Sequence, residues 1–413
     1  HDMQKAIELN DNRAVYRSSL ALDKDAAVRQ VGLGRIFNNL GFDDPANRQA
    51  MKSLALDPSN YSAHRLLSDS YATKPRHEIA RASEHLQSQL LQPLNYNPIQ
   101  PSLAYTDLNI IRGIGPNETA FNEYNRMFER DGVRLTATGI AGSNSTFGDE
   151  TALSGIYDKF SFSLGQLHYD TNGFRENNDL KHDIYNAFAQ YEITPEFNVQ
   201  AEYRHRETEH GDLELKGDTN VFDSAYNRKI YQDTYRLGLK VSPANHSDFL
   251  VSLIHADRTE SIDQGHDGIG NNQGIPFKTD IFVKTKSYDL ETQYLFNSKY
   301  INTIAGFGVF HTDNLRITKS TRTETECPCI VPYNTNQYFG YLYSNIHLLN
   351  NLNITSGLSY DNYSSNDSGA SAKISELNPK FGIIWNINNY FSFRAAAFKS
   401  VKSAIVDNQT VQP

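Results

Sequence analysis

FNVQAEYR, residues 197–204, decides how the larger part of this chain folds. Phe197, Val199, Ala201 and Tyr203 alternate with Asn198, Gln200, Glu202 and Arg204, the two-residue period of a strand with one dry and one wet face. The same period recurs at Val133, Leu135, Ala137 and Gly139 against Arg134, Thr136 and Thr138. It recurs again at Phe160, Phe162 and Leu164, at Tyr235, Leu237, Leu239 and Val241 against Arg236, Gly238 and Lys240, and late in the chain at Phe381, Ile383 and Trp385.

Connection lengths between these segments alternate. Short polar turns are expected at Asp158-Lys159, Thr194-Pro195-Glu196, Ser242 to Ser247, Asn297 to Lys299, Asn350-Asn351 and Asn386 to Asn389. Long loops are expected at 170–182, 209–229, 259–282, 313–335 and 363–373. Short turns on one rim and long loops on the other are the pattern of a transmembrane β-barrel. About 13 strands are counted from Val133, many of 10 to 13 residues, long enough to cross a bilayer when tilted. Thirteen is odd, single-chain bacterial barrels are even-stranded, and the terminal VDNQTVQP is not an aromatic strand. The expectation is an antiparallel barrel over 132–413, cut before it closes.

Composition agrees with a large ordered fold built without disulfides, since 22 Phe and 24 Tyr stand against two Cys. No run of 15 apolar residues occurs, so a helical membrane span is excluded. The net charge is −9, and residues 1–100 carry 12 Lys+Arg against 11 Asp+Glu, so the acidity lies beyond residue 100. Without a clustered basic stripe, nucleic acid is not an expected partner. The opening HDMQKAIELN has no basic stretch followed by an apolar one, so no signal peptide is read there.

The first hundred residues keep a helical period instead. From Ala27 to about Leu91 four helices are expected in two hairpins, broken at Gly41, at Asp57-Pro58 and at Gln92-Pro93, with Asp44 as an N-cap ahead of Pro45. Leu33, Phe37 and Ala46 recur as Leu67, Tyr71 and Ala80, a shift of 34, which is the period of the tetratricopeptide repeat. Gly34 or Ser68 beside the large Leu lets two helices approach. An unrelated helical bundle is the alternative. Residues 1–95 are read as a repeat solenoid, 96–131 as a linker, and the whole as α+β in two parts.

The run SLALDPSNYSAHRLLSDSYATKPRHEIARASEHLQSQLLQPLNYNPIQPSLAYTDL at 53–108, followed by FNEYNRMFERDGVRLTATGIAG and the segment FSFSLGQLHYDTNGFRENNDLKHDIYNAFAQYEITPEFNVQAEYRHRETEHGDLELKGD, resembles a bacterial family. In it, tetratricopeptide repeats are joined to a TonB-dependent-receptor-like outer-membrane β-barrel. The resemblance implies periplasmic repeats and a membrane-embedded barrel, an arrangement also similar to exopolysaccharide exporters.

Few residues suggest chemistry. Cys327-Pro328-Cys329 lies in an expected extracellular loop and could form a strained small-ring disulfide, join a metal site, or stay reduced. The Gly-rich run Asp263 to Gly274 reads as a surface loop, and His205 and His210 with Glu202, Glu207 and Glu209 read as a solvated rim. No catalytic motif is found, so no enzyme, cofactor or resident metal is expected. Arg134, Gln200, Glu202, Arg204, Arg236 and Lys240 would face the lumen, either lining a passage for a hydrated solute or pairing with one another and filling it. The expected function is a transport or export conduit in outer-membrane lipid whose repeats recruit a periplasmic protein or peptide, with unknown cargo. A TonB-linked uptake receptor and a non-transporting surface adhesin or assembly scaffold are the alternatives.

Overall fold

The computed structural model describes residues 22–71, 78–98, 103, 128–213, 222–266, 277–298, 300–320, 329–349, 351–367, 370–388 and 390–400. Among these residues four helices precede the strands: α1 Leu22–Asn39, α2 Asp43–Leu56, α3 Tyr61–Tyr71 and α4 Glu78–Leu91. The breaks fall where expected, with one difference in capping. Phe42 precedes α2 without a side-chain cap, and both Asp43 and Asp44 sit inside its first turn, where carboxylates favour the positive end of the helix dipole. Asn60 caps α3, its side-chain oxygen accepting from the Ala63 amide at 3.2 Å. None of these helices is long and apolar enough to cross a membrane.

Val31, Ala50, Ala63, Leu66 and Leu67 form the helical core, with Leu54 and Tyr71 packed against it. Leu33 and Ala46 are buried and Phe37 is half-buried. A Cβ at Gly34 would lie 2.6 Å from Leu66 Cδ2, so close approach between α1 and α3 requires glycine there. Ala80 falls in α4, but its side chain lies outside what is described.

Thirteen strands follow as one antiparallel meander, each bonded to its sequence neighbours in the order β1 to β13. They are β1 Gly132–Ala141, β2 Phe147–Tyr157, β3 Phe160–Thr171, β4 Leu180–Thr194, β5 Phe197–His210, β6 Asn227–Ala244, β7 Ser247–His266, β8 Phe277–Asn297, β9 Ile301–Ser320, β10 Cys329–Leu349, β11 Leu352–Asp367, β12 Ala370–Asn386 and β13 Ser392–Phe398. Short and long connections alternate as expected up to β11, but the long loop expected at 363–373 is not found: β11 and β12 extend through most of it, pair as far as Asp367 with Ala370, and leave only positions 368 and 369 between them.

Strand lengths differ from the expectation: β7 to β10 run to 20 or 21 residues. Much of 259–282 and 313–335 is strand rather than loop. The physical reason is a change of phase. Beyond the membrane belt the outer positions become Asp257, Lys284, Lys286 and Asp313, while Ile230, Ile262 and Val283 fall on the inner face. Pairing continues although the apolar signature of the outer face fades.

One sheet face is apolar and exposed. Leu164, Tyr203, Tyr235, Leu237, Leu253, Leu290, Phe307, Leu342 and Phe381 all point outward and lie open. A row of rings crosses it from β4 to β9: Tyr185–His205 at 6.3 Å, Tyr203–Tyr235 at 5.1 Å, Tyr235–His255 at 6.2 Å, His255–Tyr288 at 4.5 Å and Tyr288–His311 at 6.5 Å. Tyr191, Phe249 and Tyr294 form a second level near the short turns. From Ser247 to Asp257 on β7, ten steps of tilted strand rise about 25 Å, the height of an outer-membrane apolar band, and the ring levels at Phe249 and His255 fall within it.

Candidate functional site

The inner face carries the feature that sequence periodicity did not find. One row of directly paired positions, Gln190, Gln200, Gly238, Ser252, Glu291 and Gly308, crosses β4 to β9. Helix α4 and the turn after it lie along this row. At one end Ser83 Oγ donates to Glu291 Oε2 at 2.9 Å on β8. Midway, a Cβ at Gly238 would meet Leu90 Cδ2 at 2.8 Å and Gln200 Cγ at 2.7 Å, so a bare backbone is what lets the helix sit down on β6. At the other end Asn97 Nδ2 donates to Gln190 Oε1 at 2.6 Å on β4.

Just below the row, toward the short turns, Leu90 and Leu91 join Leu250 and Leu295 in a dry cluster, with Tyr61 and Ile304 at its margin. Each of these leucines is worth about 2 kcal/mol relative to exposure in water. The rim of short turns holds the helices a second time. Asn302 Nδ2 donates to the Ala55 and Leu56 carbonyls at 2.9 and 3.0 Å, closing the C-terminal end of α2, and Asn297 donates to Asp57 Oδ1 at 3.2 Å.

The segment after α4 continues across the wall. Leu103 packs on Leu167 and Ile184, and its amide donates to Glu150 Oε1 at 2.7 Å. Phe128 packs with Ile156 and Leu94, and Arg134 places its guanidinium carbon 4.7 Å over the Phe128 ring. The described parts of 96–131, expected as a linker, therefore bind the sheet, and α4, inside the expected repeat region 1–95, packs against its inner face.

Within the helices His64 ties α3 to α4. Its Nδ1 faces Glu84 Oε2 at 2.5 Å and its Nε2 donates to the Pro58 carbonyl at 2.9 Å. Burial pulls this imidazole down, but the Glu84 carboxylate, helped by Asp57, outweighs it and the net shift is upward.

The expected lumen residues share the inner face, and the structure places them against protein. Gln200 and Arg236 are buried, and Lys240 is half-buried. Glu202 accepts from Arg236 Nη2 at 2.6 Å, Arg204 Nη2 at 3.2 Å and Asn186 Nδ2 at 2.6 Å. Of the six, Glu202, Arg204 and Arg236 pair with one another, while Arg134 lies over Phe128.

The other candidates separate. His205 lies on the outer face and bonds Asp233 at 2.9 Å, whereas His210 is buried on the inner face and bonds the Gly211 carbonyl. Cys329 opens β10, exposed and without a disulfide partner among the described residues, and Cys327 lies outside them, as does 267–274 of the Gly-rich run. No group of three or more His, Cys, Asp or Glu able to hold a metal ion occurs among the described residues.

A model of the TonB dependent receptor-like β-barrel matches residues 168–411, more than half of the chain. The chain belongs to the TonB dependent receptor-like β-barrel family. Barrels of this family are outer-membrane receptors that transport rather than catalyse.

Among solved structures, the chain resembles the receptor in the FpvAI–pyocin S2 complex with a TM-score of 0.53 at 13% identity, covering 66% of this chain and 41% of that one. The pyoverdine outer membrane receptor FpvA from Pseudomonas aeruginosa PAO1, bound to pyoverdine, gives 0.51 at 16%, with 66% and 46% covered. The copper transporter OprC gives 0.51 at 9%, with 64% and 44% covered. At such identities the likeness is one of fold. The chain spans less than half the length of these TonB dependent receptor-like barrels. No curated protein sequence matches it.

The signal that could have revealed the docked helix was present in the sequence. Leu250 and Leu295 occupy the polar phase of their strands, and Gly238 interrupts the polar phase of β6. Apolar residues on both faces of a strand, beside a glycine, mark a wall that receives another element.

Proposed function

We propose that the protein is an outer-membrane uptake barrel in which α4 and the segment after it bar the lumen, and that a solute passes only when this crossbar leaves the wall. Uptake replaces export as the leading reading because the family is that of TonB dependent receptors. The observation that carries it is the single row from Gln190 to Glu291 on which α4 is seated, at the height where the outer face is most apolar.

The same reading takes α1 to α4 as two tetratricopeptide units, entering from the periplasm with outer-membrane lipid around the barrel. The shift of 34 between Leu33 and Leu67 supports it, and stacked units of this kind present a groove for a periplasmic protein or peptide. In the closed barrel β1 and β13 each gain a second neighbour, since a spanning sheet leaves no edge unpaired.

The test uses the full-length protein in planar bilayers. Ser83→Cys and Glu291→Cys, bridged by a short bis-maleimide, fix the crossbar to β8. Mild urea is expected to open conductance in the unbridged protein, by loosening the docked helix, and not in the bridged one. Equal conductance with and without the bridge would overturn the proposal.

A further inference from the structure

We infer that the lumen wall carries an oxyanion-binding site at Arg204 and Arg236, on the long-loop side of the crossbar, and that the solute handled by this barrel bears a carboxylate, phosphate or sulfate group. The inference names the substrate class and rests on the uptake reading above.

The argument starts from charge. Among the described residues Glu202 is the one carboxylate bonded to both guanidiniums, so the described cluster holds two cations against one anion. Its neighbours along the row are Phe188 on β4 and Ile254 on β7, which bring no charge, and Asp289 stands a strand further away on β8. The side chains of Arg236 and Glu202 are 4% and 9% exposed, that of Arg204 17%. The imbalance is therefore held largely away from water, where an unneutralised charge is costly.

Hydrogen bonding points the same way. Glu202 already takes three donors. Arg236 Nε and Nη1 and Arg204 Nε are shielded from solvent and have no hydrogen-bond partner among the described residues. Gln200 Oε1 and Ser252 Oγ, on the adjacent row, are likewise unmatched. Guanidinium edges are planar forks that match an oxyanion in charge and geometry. One such group lying between Arg204 and Arg236 would supply acceptors for the open N–H donors and cancel the excess charge. Neutral water would supply the acceptors and leave the charge.

Further along the wall Glu260 holds Arg228 at 2.7 Å and Arg258 at 2.9 Å, and Arg206 donates to Gln232. In a chain of net charge −9, this concentration of arginine on three adjacent strands gives an approaching anion a favourable path along the wall to the crossbar.

The experiment is equilibrium titration calorimetry on the full-length protein in detergent micelles, with inorganic phosphate, citrate and, as neutral control, glucose. Saturable binding of phosphate or citrate but not glucose is expected, weakening in high salt, and whichever anion binds more tightly names the group. Arg204→Gln should weaken binding about tenfold, the loss of one charge-assisted hydrogen bond, with Arg204→Lys in between. Glu202→Gln should tighten binding several-fold by removing the competing carboxylate, an outcome that a merely structural cluster would not give.

Heat-modifiable migration checks that each variant is folded, and if Glu202→Gln is not, the two Arg204 variants decide. The site is disproved if neither anion binds saturably, if Arg204→Gln leaves the affinity unchanged, or if folded Glu202→Gln binds more weakly. Calorimetry reads binding and conductance reads gating, so the conductance test can fail while this one succeeds, and the reverse.

Discussion

Leu237 and Leu250 belong to paired strands a few residues apart, yet they live in opposite surroundings. Leu237 is 57% exposed on the outer face of β6, and Leu250 is 2% exposed on the inner face of β7 beneath α4. A surface leucine in water is unremarkable, but here a whole sheet face repeats it between two levels of rings, which only hydrocarbon makes favourable. The inner leucine instead obeys the rules of a soluble core. The two faces therefore respond differently to the same kind of damage, and that difference can be broken on purpose. Leu237→Arg sets a charge on the lipid face near the middle of the belt and should cost about 3 kcal/mol of membrane stability, leaving the seat of α4 intact. Refolding into lipid vesicles under urea reads this. An unchanged midpoint would mean that the outer face does not meet lipid.

The complementary change strikes the inner face alone. Gly238→Val puts branched carbons where Leu90 and Gln200 now lie, with the first Cβ already inside 3 Å of both. Overpacking of this kind costs about 2 kcal/mol and falls on the contact between helix and wall rather than on the strand pairing. Hydrogen exchange at α4 should accelerate by one to two orders of magnitude while the amides of β5 and β6 keep their protection. Loss of protection in both would show that the helix is integral to the sheet rather than a separable crossbar.

These two substitutions also mark how far the amino-acid sequence could be read. The outer face was legible because lipid imposes one uniform rule, every second residue apolar, and Phe197 to Tyr203 satisfy it. The strand number, the short turns and the four helices followed from equally local rules. The ends of β7 to β10 were not legible, since above the belt the outer face meets water and Lys284, Lys286 and Asp313 look like loop. The docked helix was harder still. It depends on residues 200 or more positions apart, such as Ser83 with Glu291 and Asn302 with the end of α2, and nothing in the periodicity of either element announces a partner in the other. Only Leu250, Leu295 and Gly238, out of place for a water-filled wall, hinted at it. Arg204 and Arg236 were placed on the inner face by alternation, but their shared carboxylate depends on register.

Within the crossbar itself, the smallest expected effect concerns pH. His64 Nε2 must carry a proton to donate to the Pro58 carbonyl, and Nδ1 faces the Glu84 carboxylate, so the contact between α3 and α4 is strongest when the imidazole is a cation. The groups facing it are Glu84 on α4 and Asp57 at the end of α2, both acidic, and together they outweigh burial and raise its pKa above the ordinary 6.5. A raised folded-state value means that the folded protein holds this proton more tightly than the unfolded chain. The stabilisation is then complete below pH 6.5 and declines as pH rises through the higher folded value, which is the opposite of a carboxylate's behaviour. Hydrogen exchange of α3 and α4, corrected for its intrinsic pH dependence, should show protection falling as pH rises above 6.5. Glu84→Gln removes the main source of the upward shift, so its lower protection should no longer fall over that range. A wild-type profile as flat as that of the variant would mean that the two helices are held by their leucines alone and that α4 does not sense the protonation of α3.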